Sequence, residues 1–137
     1  KTLELRIQRQ NTSALTIAKH LLAHPKVSGV FYPGLESHPG HAIAKSQMSG
    51  FGGVLSFALH GGDEVKKFLP ALKLVHLAAS LGSISTLAGP PRTTSHVELT
   101  AEQRAKLGIP EGLIRYSVGI ENVEDLIADL DQALAKI

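Results

Sequence analysis

Cysteine is absent from the chain, which excludes disulfides and thiolate-ligated metals and fits a cytoplasmic protein. Aromatic residues make up only 4% of the 137 positions, too few for a base-stacking platform. The net charge is +2 and the Lys and Arg residues are scattered, so the basic stripe of a nucleic-acid surface is missing. No apolar run approaches the roughly 20 residues of a membrane span. The first residues are charged and helix-forming and do not read as a secretory leader. Absent too are a Ser/His/Asp pattern in a nucleophile-elbow context, a dinucleotide fingerprint behind a strand, and a metal cluster. His38-Pro-Gly-His41 has the gap of some metal pairs, but no Cys or third His follows at ligand spacing. The pair reads as histidines of a helix-start turn, and no metal is expected.

What is present suits one domain with a sizeable core: 43% hydrophobic and 19% charged residues are ordinary proportions for a folded chain. Residues 1–24 read as one helix, with Leu3, Ile7, Ala14, Ile17, Ala18 and Leu21 on an apolar face and Arg6, Arg9 and Lys19 on a solvated one. Pro25 closes it. Residues 27–32 read as a strand. Ser37 is placed to cap a second helix reaching about Met48. The glycine-rich Ser49 to Gly53 leads into the strand pattern of Val54 to Leu59. A phosphate loop needs a helix behind it, so these glycines are read as a close approach or positive φ before a strand. Asp63 is placed to cap a third helix, with Pro70 kinking or stopping it. Short strands are expected at Leu74 to Leu77 and Ile84 to Leu87. Thr100 to Gln103 is close to a capping box for a helix ending at Gly108. Asn122 caps a last helix with an apolar stripe of Val123, Leu126, Ile127, Leu130 and Leu134. Helices and strands mix without strict alternation, which predicts an α+β domain: a small, mainly antiparallel sheet with helices on one face.

Two stretches stand out as site candidates. Leu113 to Val118 alternates as a strand, placing Ile114, Tyr116 and Val118 on one face and Leu113, Arg115 and Ser117 on the other. A mid-strand guanidinium suits a carboxylate or phosphate gripped by two hydrogen bonds. On pattern alone the bland reading stands beside it: an Arg paired to an internal carboxylate or reaching solvent at the strand end. The polar run Arg92 to His96 is the loop most suited to function, although Ser and Thr also fill ordinary turns. From the residues alone this is half of a site, an anion-binding Arg near a polar loop with no reactive group.

Four segments together carry a resemblance: Tyr32 to His41 (YPGLESHPGH), Ala44 to Phe57 (AKSQMSGFGGVLSF), Ser80-Leu-Gly82, and Leu113 to Glu121 (LIRYSVGIE). In this order and spacing they resemble the C-terminal part of the Cys/Met-metabolism family of pyridoxal-phosphate enzymes, which catalyse C–S γ-elimination or γ-replacement on cystathionine, methionine or homoserine esters. The resemblance implies a fold-type I enzyme whose small C-terminal domain, residues 1–137 here, completes the substrate site. It implies that Arg115 holds the substrate α-carboxylate, that Ser80 lines the same site, and that Ser95 stands where the family's loop carries Thr before His. Ala79 stands where cystathionine enzymes often carry Glu, which makes it the specificity candidate. The lysine that binds pyridoxal 5'-phosphate is implied to lie in an N-terminal cofactor domain, from which residues 1–24 arrive as a long helix. None of the nine lysines present stands in the family's cofactor-lysine context, so no catalytic residue is expected in this chain. The resemblance further implies a homotetramer acting on a sulfur amino acid. A stand-alone binding or interaction domain that kept the fold is the alternative.

Overall fold

A computed structural model describes residues 1–137. Helix α1 (Leu3–Leu22) leads into strand β1 (Gly29–Phe31), followed by α2 (His41–Gln47), β2 (Val54–Ala58), α3 (Gly62–Ala71), β3 (His76–Leu77) and β4 (Leu87–Gly89). A 3₁₀ turn at Pro91–Thr93, α4 (Ala101–Lys106), β5 (Leu113–Ser117) and α5 (Val123–Leu134) complete the chain. The strands form one sheet in the order β1-β2-β5-β4-β3. Three of its pairs are antiparallel and β3–β4 is parallel. This is the expected α+β architecture.

The core lies between the sheet and helices α1, α3 and α5. Its largest enclosed side chains include Tyr32, Phe57, Phe68, Tyr116, Ile17 and Leu130. Phe57 and Phe68 meet edge to face at 5.8 Å between ring centroids, and each such buried side chain contributes roughly 1.5–3 kcal/mol. The alternation of β5 is as read: Ile114, Tyr116 and Val118 are buried under the helices, while Arg115 faces the other way and is half-buried. Gly112 could carry no side chain, because a Cβ there would stand 2.2 Å from Leu59 O. Gly52 has φ 86° ahead of β2, the backbone role assigned to that glycine run.

Several local expectations fail for identifiable reasons. Nothing is buried in α1 before Gln10; Leu3 and Leu5 are 64% and 72% exposed, so the core-facing stripe begins two turns late. Arg6 and Arg9 are not simply solvated, since their guanidinium groups donate to Gly82 O and Glu121 O. The second helix starts at His41. Ahead of it, consecutive turns run from Tyr32 to His41, and His38 Nδ1, not Ser37, takes the Gly40 amide. Asp63 does not cap α3; it pairs with Lys66 at 2.8 Å, and Gly61 occupies the cap position. Strand β3 is limited to His76–Leu77, and β4 begins at Leu87 instead of Ile84. Ile84 O is already committed to the Ile120 amide, which keeps Ile84 outside the ladder. The capping box at Thr100 and the Asn122 cap form as read.

Asp129 is the buried group that the apolar stripe of α5 concealed. Its Oδ1 accepts from Lys73 N at 2.8 Å, and its Oδ2 from Leu74 N at 2.9 Å and Val75 N at 3.2 Å. The turn before β3 therefore hangs on one carboxylate. Asp129→Ala leaves these amides unpaired and is expected to cost about 3 kcal/mol of stability. A urea titration reads this as a lower midpoint at unchanged m-value; an unchanged midpoint would contradict it.

Candidate functional site

The site candidates lie on the sheet face away from the helices. In register, Arg115 sits between Ser56 on β2 and Gly89 on β4. Gly89 offers no side chain on this face, and a Cβ there would stand 3.2 Å from Ala78 O. The Arg115 side chain reaches that region: Nη2 donates to Ala78 O at 3.2 Å and to Ser80 O at 2.6 Å. None of the chain's ion pairs involves Arg115. Of the partners considered from sequence, an internal carboxylate is thus not the one found; main-chain carbonyls are. Nε and Nη1 have no hydrogen-bond partner within the chain. Nη2 belongs to both forked edges of the guanidinium, so a two-point grip on an anion draws on the nitrogen that now serves the carbonyls.

The segment 78–83 is fastened from two further directions. Ser117, which shares the Arg115 face, accepts from Gly82 N at 3.1 Å. From α1, Arg6 Nη1 donates to Gly82 O at 3.1 Å and Gln10 Nε2 to Ser83 O at 2.9 Å. Sequence reasoning placed Ser117 beside Arg115 and Arg6 on a solvated face but gave none of the three this task. Ser117 was recoverable from the strand alternation, but nothing local marked Arg6 and Gln10, whose partners lie more than 70 residues away.

Of the other candidates, Ser80 is exposed and engages Arg115 through its carbonyl, not its hydroxyl. Ala79 borders a cavity of about 380 Å³ that Leu69, Leu77, Gly89, Thr93 and Thr94 also line. Ser95 is exposed and pairs with His96 Nδ1 at 2.8 Å; no hydrogen bond joins it to Arg115 or Ser80. The structure therefore brings Ala79 together with the hydroxyl-rich segment, and Ser80 with Arg115.

The polar segment is itself anchored. Glu111 accepts from Arg92 Nη1 at 3.2 Å and from Arg104 Nη2 at 2.7 Å and Nε at 3.1 Å. The Arg104 hydrogen bonds, and after them the one from Arg92, hold the Glu111 carboxyl below the usual carboxylate range. This pairing therefore supports the fold above the ordinary glutamate pKa and is lost as pH falls through the lowered one.

The remaining polar groups do not form a reactive centre. Burial pushes the Tyr32 hydroxyl up to about 12, and it donates to Gly52 O at 2.8 Å. Burial, helped by the Asp129 and Glu121 charges, raises Tyr116 further. Neither serves as a base near neutral pH. His41 Nδ1 contacts Pro33 O at 2.7 Å and its ring stacks on Phe51. Lys26 is the one lysine that is not exposed, and its ammonium is committed to the carbonyls of Leu134 and Ile137. Gly50 and Gly53 press on Asn11 and Gln10, so the glycine run makes no phosphate cradle. An enclosed lysine and a phosphate nest are the features that would hold pyridoxal phosphate, and the residues of this chain do not supply them.

The family model for Cys/Met metabolism PLP-dependent enzymes matches residues 1–135. The chain is 51% identical over 138 residues to an L-methionine gamma-lyase of Fusobacterium nucleatum subsp. polymorphum, covering 100% of this chain and 35% of that protein. It is 49% identical to the chloroplastic cystathionine gamma-synthase 1 of Arabidopsis thaliana, covering 100% of this chain and 24% of the relative. The crystal structure of a cystathionine gamma-lyase from Micromonospora echinospora superposes with a TM-score of 0.93 at 45% identity, over 98% of this chain and 35% of that one. The chain thus spans about a third of the length of such relatives.

The fastening of residues 78–83 is open to direct measurement. Ser117→Ala removes the acceptor of the Gly82 amide. It is expected to speed hydrogen exchange at Gly82 about fivefold, the equivalent of one ordinary hydrogen bond. Equal exchange in both proteins would mean that Ser117 does not hold the segment.

Proposed function

Because the chain belongs to the Cys/Met metabolism PLP-dependent enzyme family, we propose that it is the substrate-side domain of an enzyme of sulfur amino acid metabolism. The reaction is C–S γ-elimination or γ-replacement on cystathionine, methionine or a homoserine ester. In this reading residues 1–24 arrive from a preceding cofactor domain, which holds most of the pyridoxal 5'-phosphate. The full-length protein is a cytoplasmic homotetramer. When bound, the cofactor supplies the electron sink. The residues here bind and orient the substrate.

One observation carries the proposal: a mid-strand guanidinium beside the 78–80 carbonyls, with no internal carboxylate and with Nε and Nη1 without a partner in the chain. Arg115 takes the substrate α-carboxylate and thereby fixes the amino acid backbone, an orienting role. Ser80 and Ser95 border the same substrate. No catalytic residue is assigned to this chain.

Arg115→Lys in the full-length protein keeps the charge but loses the forked grip. It is expected to lower kcat/KM by about 2–4 kcal/mol in transition-state terms, with cofactor absorbance unchanged. Native activity per folded molecule would leave Arg115 as a loop clamp alone. A full-length protein that takes up no cofactor would instead favour a stand-alone binding domain.

Ala79 leaves the distal end of the substrate site without a charge. A substrate with a distal ammonium gains no counter-ion there, and an apolar thioether meets no carboxylate that must be desolvated. Ala79→Glu is expected to shift the kcat/KM ratio toward cystathionine and away from methionine, both measured at one pH. An unchanged ratio, or a shift toward methionine, would remove position 79 from specificity.

A further inference from the structure

We propose that Glu111 is a positioning residue for the substrate site, tying the hydroxyl-rich segment around Ser95 to the strand that carries Arg115. The proposal rests on the functional reading above and assigns a task to a residue outside the substrate contacts.

Between β4 and β5, whose Gly89 and Arg115 are directly paired, the chain makes a long excursion from Pro90 to Gly112. It contains only a 3₁₀ turn and the six-residue α4, and it buries little: Pro91 and Gly112 are enclosed, while Val97 and Leu107 are each 63% exposed. Such a segment cannot be ordered by a core of its own, so polar contacts must do it. The longer-range polar contacts converge on Glu111, just ahead of β5. Arg92, near the beginning of the excursion, reaches one carboxylate oxygen, and Arg104 in α4 reaches the other through two nitrogens. Arg104 Nη1 also takes Leu99 O. Apart from Gly112 O, which accepts from Leu59 N at the end of the excursion, the remaining hydrogen bonds are local, such as the capping box at Thr100 and the Pro90 carbonyl shared by Thr93 and Thr94.

The charge arithmetic makes Glu111 the keystone. The side chains of Arg92 and Arg104 are 20% and 12% exposed, so both cations are largely removed from water. Asp63 lies near enough to Arg92 to feel its charge, but its ion pair is with Lys66. Glu111 itself is 40% exposed, but without its carboxylate both poorly solvated guanidinium groups lose the one anion they share. The segment then shifts, taking Thr93, Thr94 and Ser95 with it, while β5 keeps its place in the sheet through its ladder to β2.

The test uses the full-length protein loaded with pyridoxal phosphate and compares Glu111→Gln, Glu111→Asp and, as a control on the same segment, Glu98→Gln. Glu98 is exposed and unpaired. Two readouts are taken: steady-state kinetics on methionine and cystathionine, and hydrogen exchange by mass spectrometry. The expected result for Glu111→Gln is a KM raised about tenfold, the size of a lost charged hydrogen bond, with kcat nearly unchanged and the cofactor absorbance intact. Exchange should quicken in peptides from 91–104 and stay unchanged in those covering β2 and α5. Glu111→Asp should recover most of both effects, and Glu98→Gln should show neither. Exchange that quickens throughout the protein would reduce Glu111 to a general structural role and overturn the proposal, as would an unchanged KM. Should the parent protein turn over no sulfur amino acid, the functional reading falls; the exchange data still decide whether Glu111 orders the segment.

Discussion

The hydrogen bonds from Arg115 to the carbonyls of Ala78 and Ser80 are the contact on which the site face is organised. Residues 76–85 bury no side chain, and their one piece of regular structure is the two-residue strand β3. What gives this stretch a fixed path is a set of side chains reaching in from the rigid body: Arg115 and Ser117 from the middle of the sheet, Arg6 and Gln10 from α1, and Asp129 at the turn just before it. The helical side of the sheet is held by packing and the opposite side by hydrogen bonds, those of Arg115 and Arg6 charge-assisted. The two regimes differ in their sensitivity: a lost methylene weakens the first, whereas a lost donor or acceptor displaces a whole segment of the second.

This division explains what could be read from the amino-acid order. Helices α1, α4 and α5 and strands β2 and β5 announce themselves through periodicity and caps, because burial of one face and satisfaction of terminal amides are local requirements. Strand β4 slips because its boundary is set by Gly119 and Ile120, more than 30 residues away, through Thr86 and Ile84. The start of α2 slips because a His38 ring nitrogen competes with Ser37 for the role of acceptor. In the candidate site, Arg115 was visible from strand alternation alone and Ala79, Ser80 and Ser95 from family resemblance. The Arg115 acceptors were not visible, since main-chain carbonyls carry no sequence signature. Asp129 and Glu111 escaped for a related reason: acidic residues on an amphipathic helix or in a polar connection are most often solvated, and only their partners reveal otherwise.

The L-methionine gamma-lyase and the cystathionine gamma-lyase that the chain matches are roughly three times its length, and the 137 residues form one enclosed core, one five-stranded sheet and an internally fastened face. The Glu111 cluster adds a connection within this part, between the strand bearing the cation and the segment bearing the hydroxyls.

Arg115 grips peptide oxygens, which every residue possesses whatever its side chain. Replacing the side chain at 79 or 80 therefore leaves the acceptors where they are, so the anchoring of the segment and the chemistry it displays are separable in inheritance. A lineage can exchange Ala79 for a charged or bulkier residue without first rebuilding the clamp beneath it. Such decoupling lets drift at one exposed position alter what the segment displays while the scaffold stays under its own, unrelated constraint.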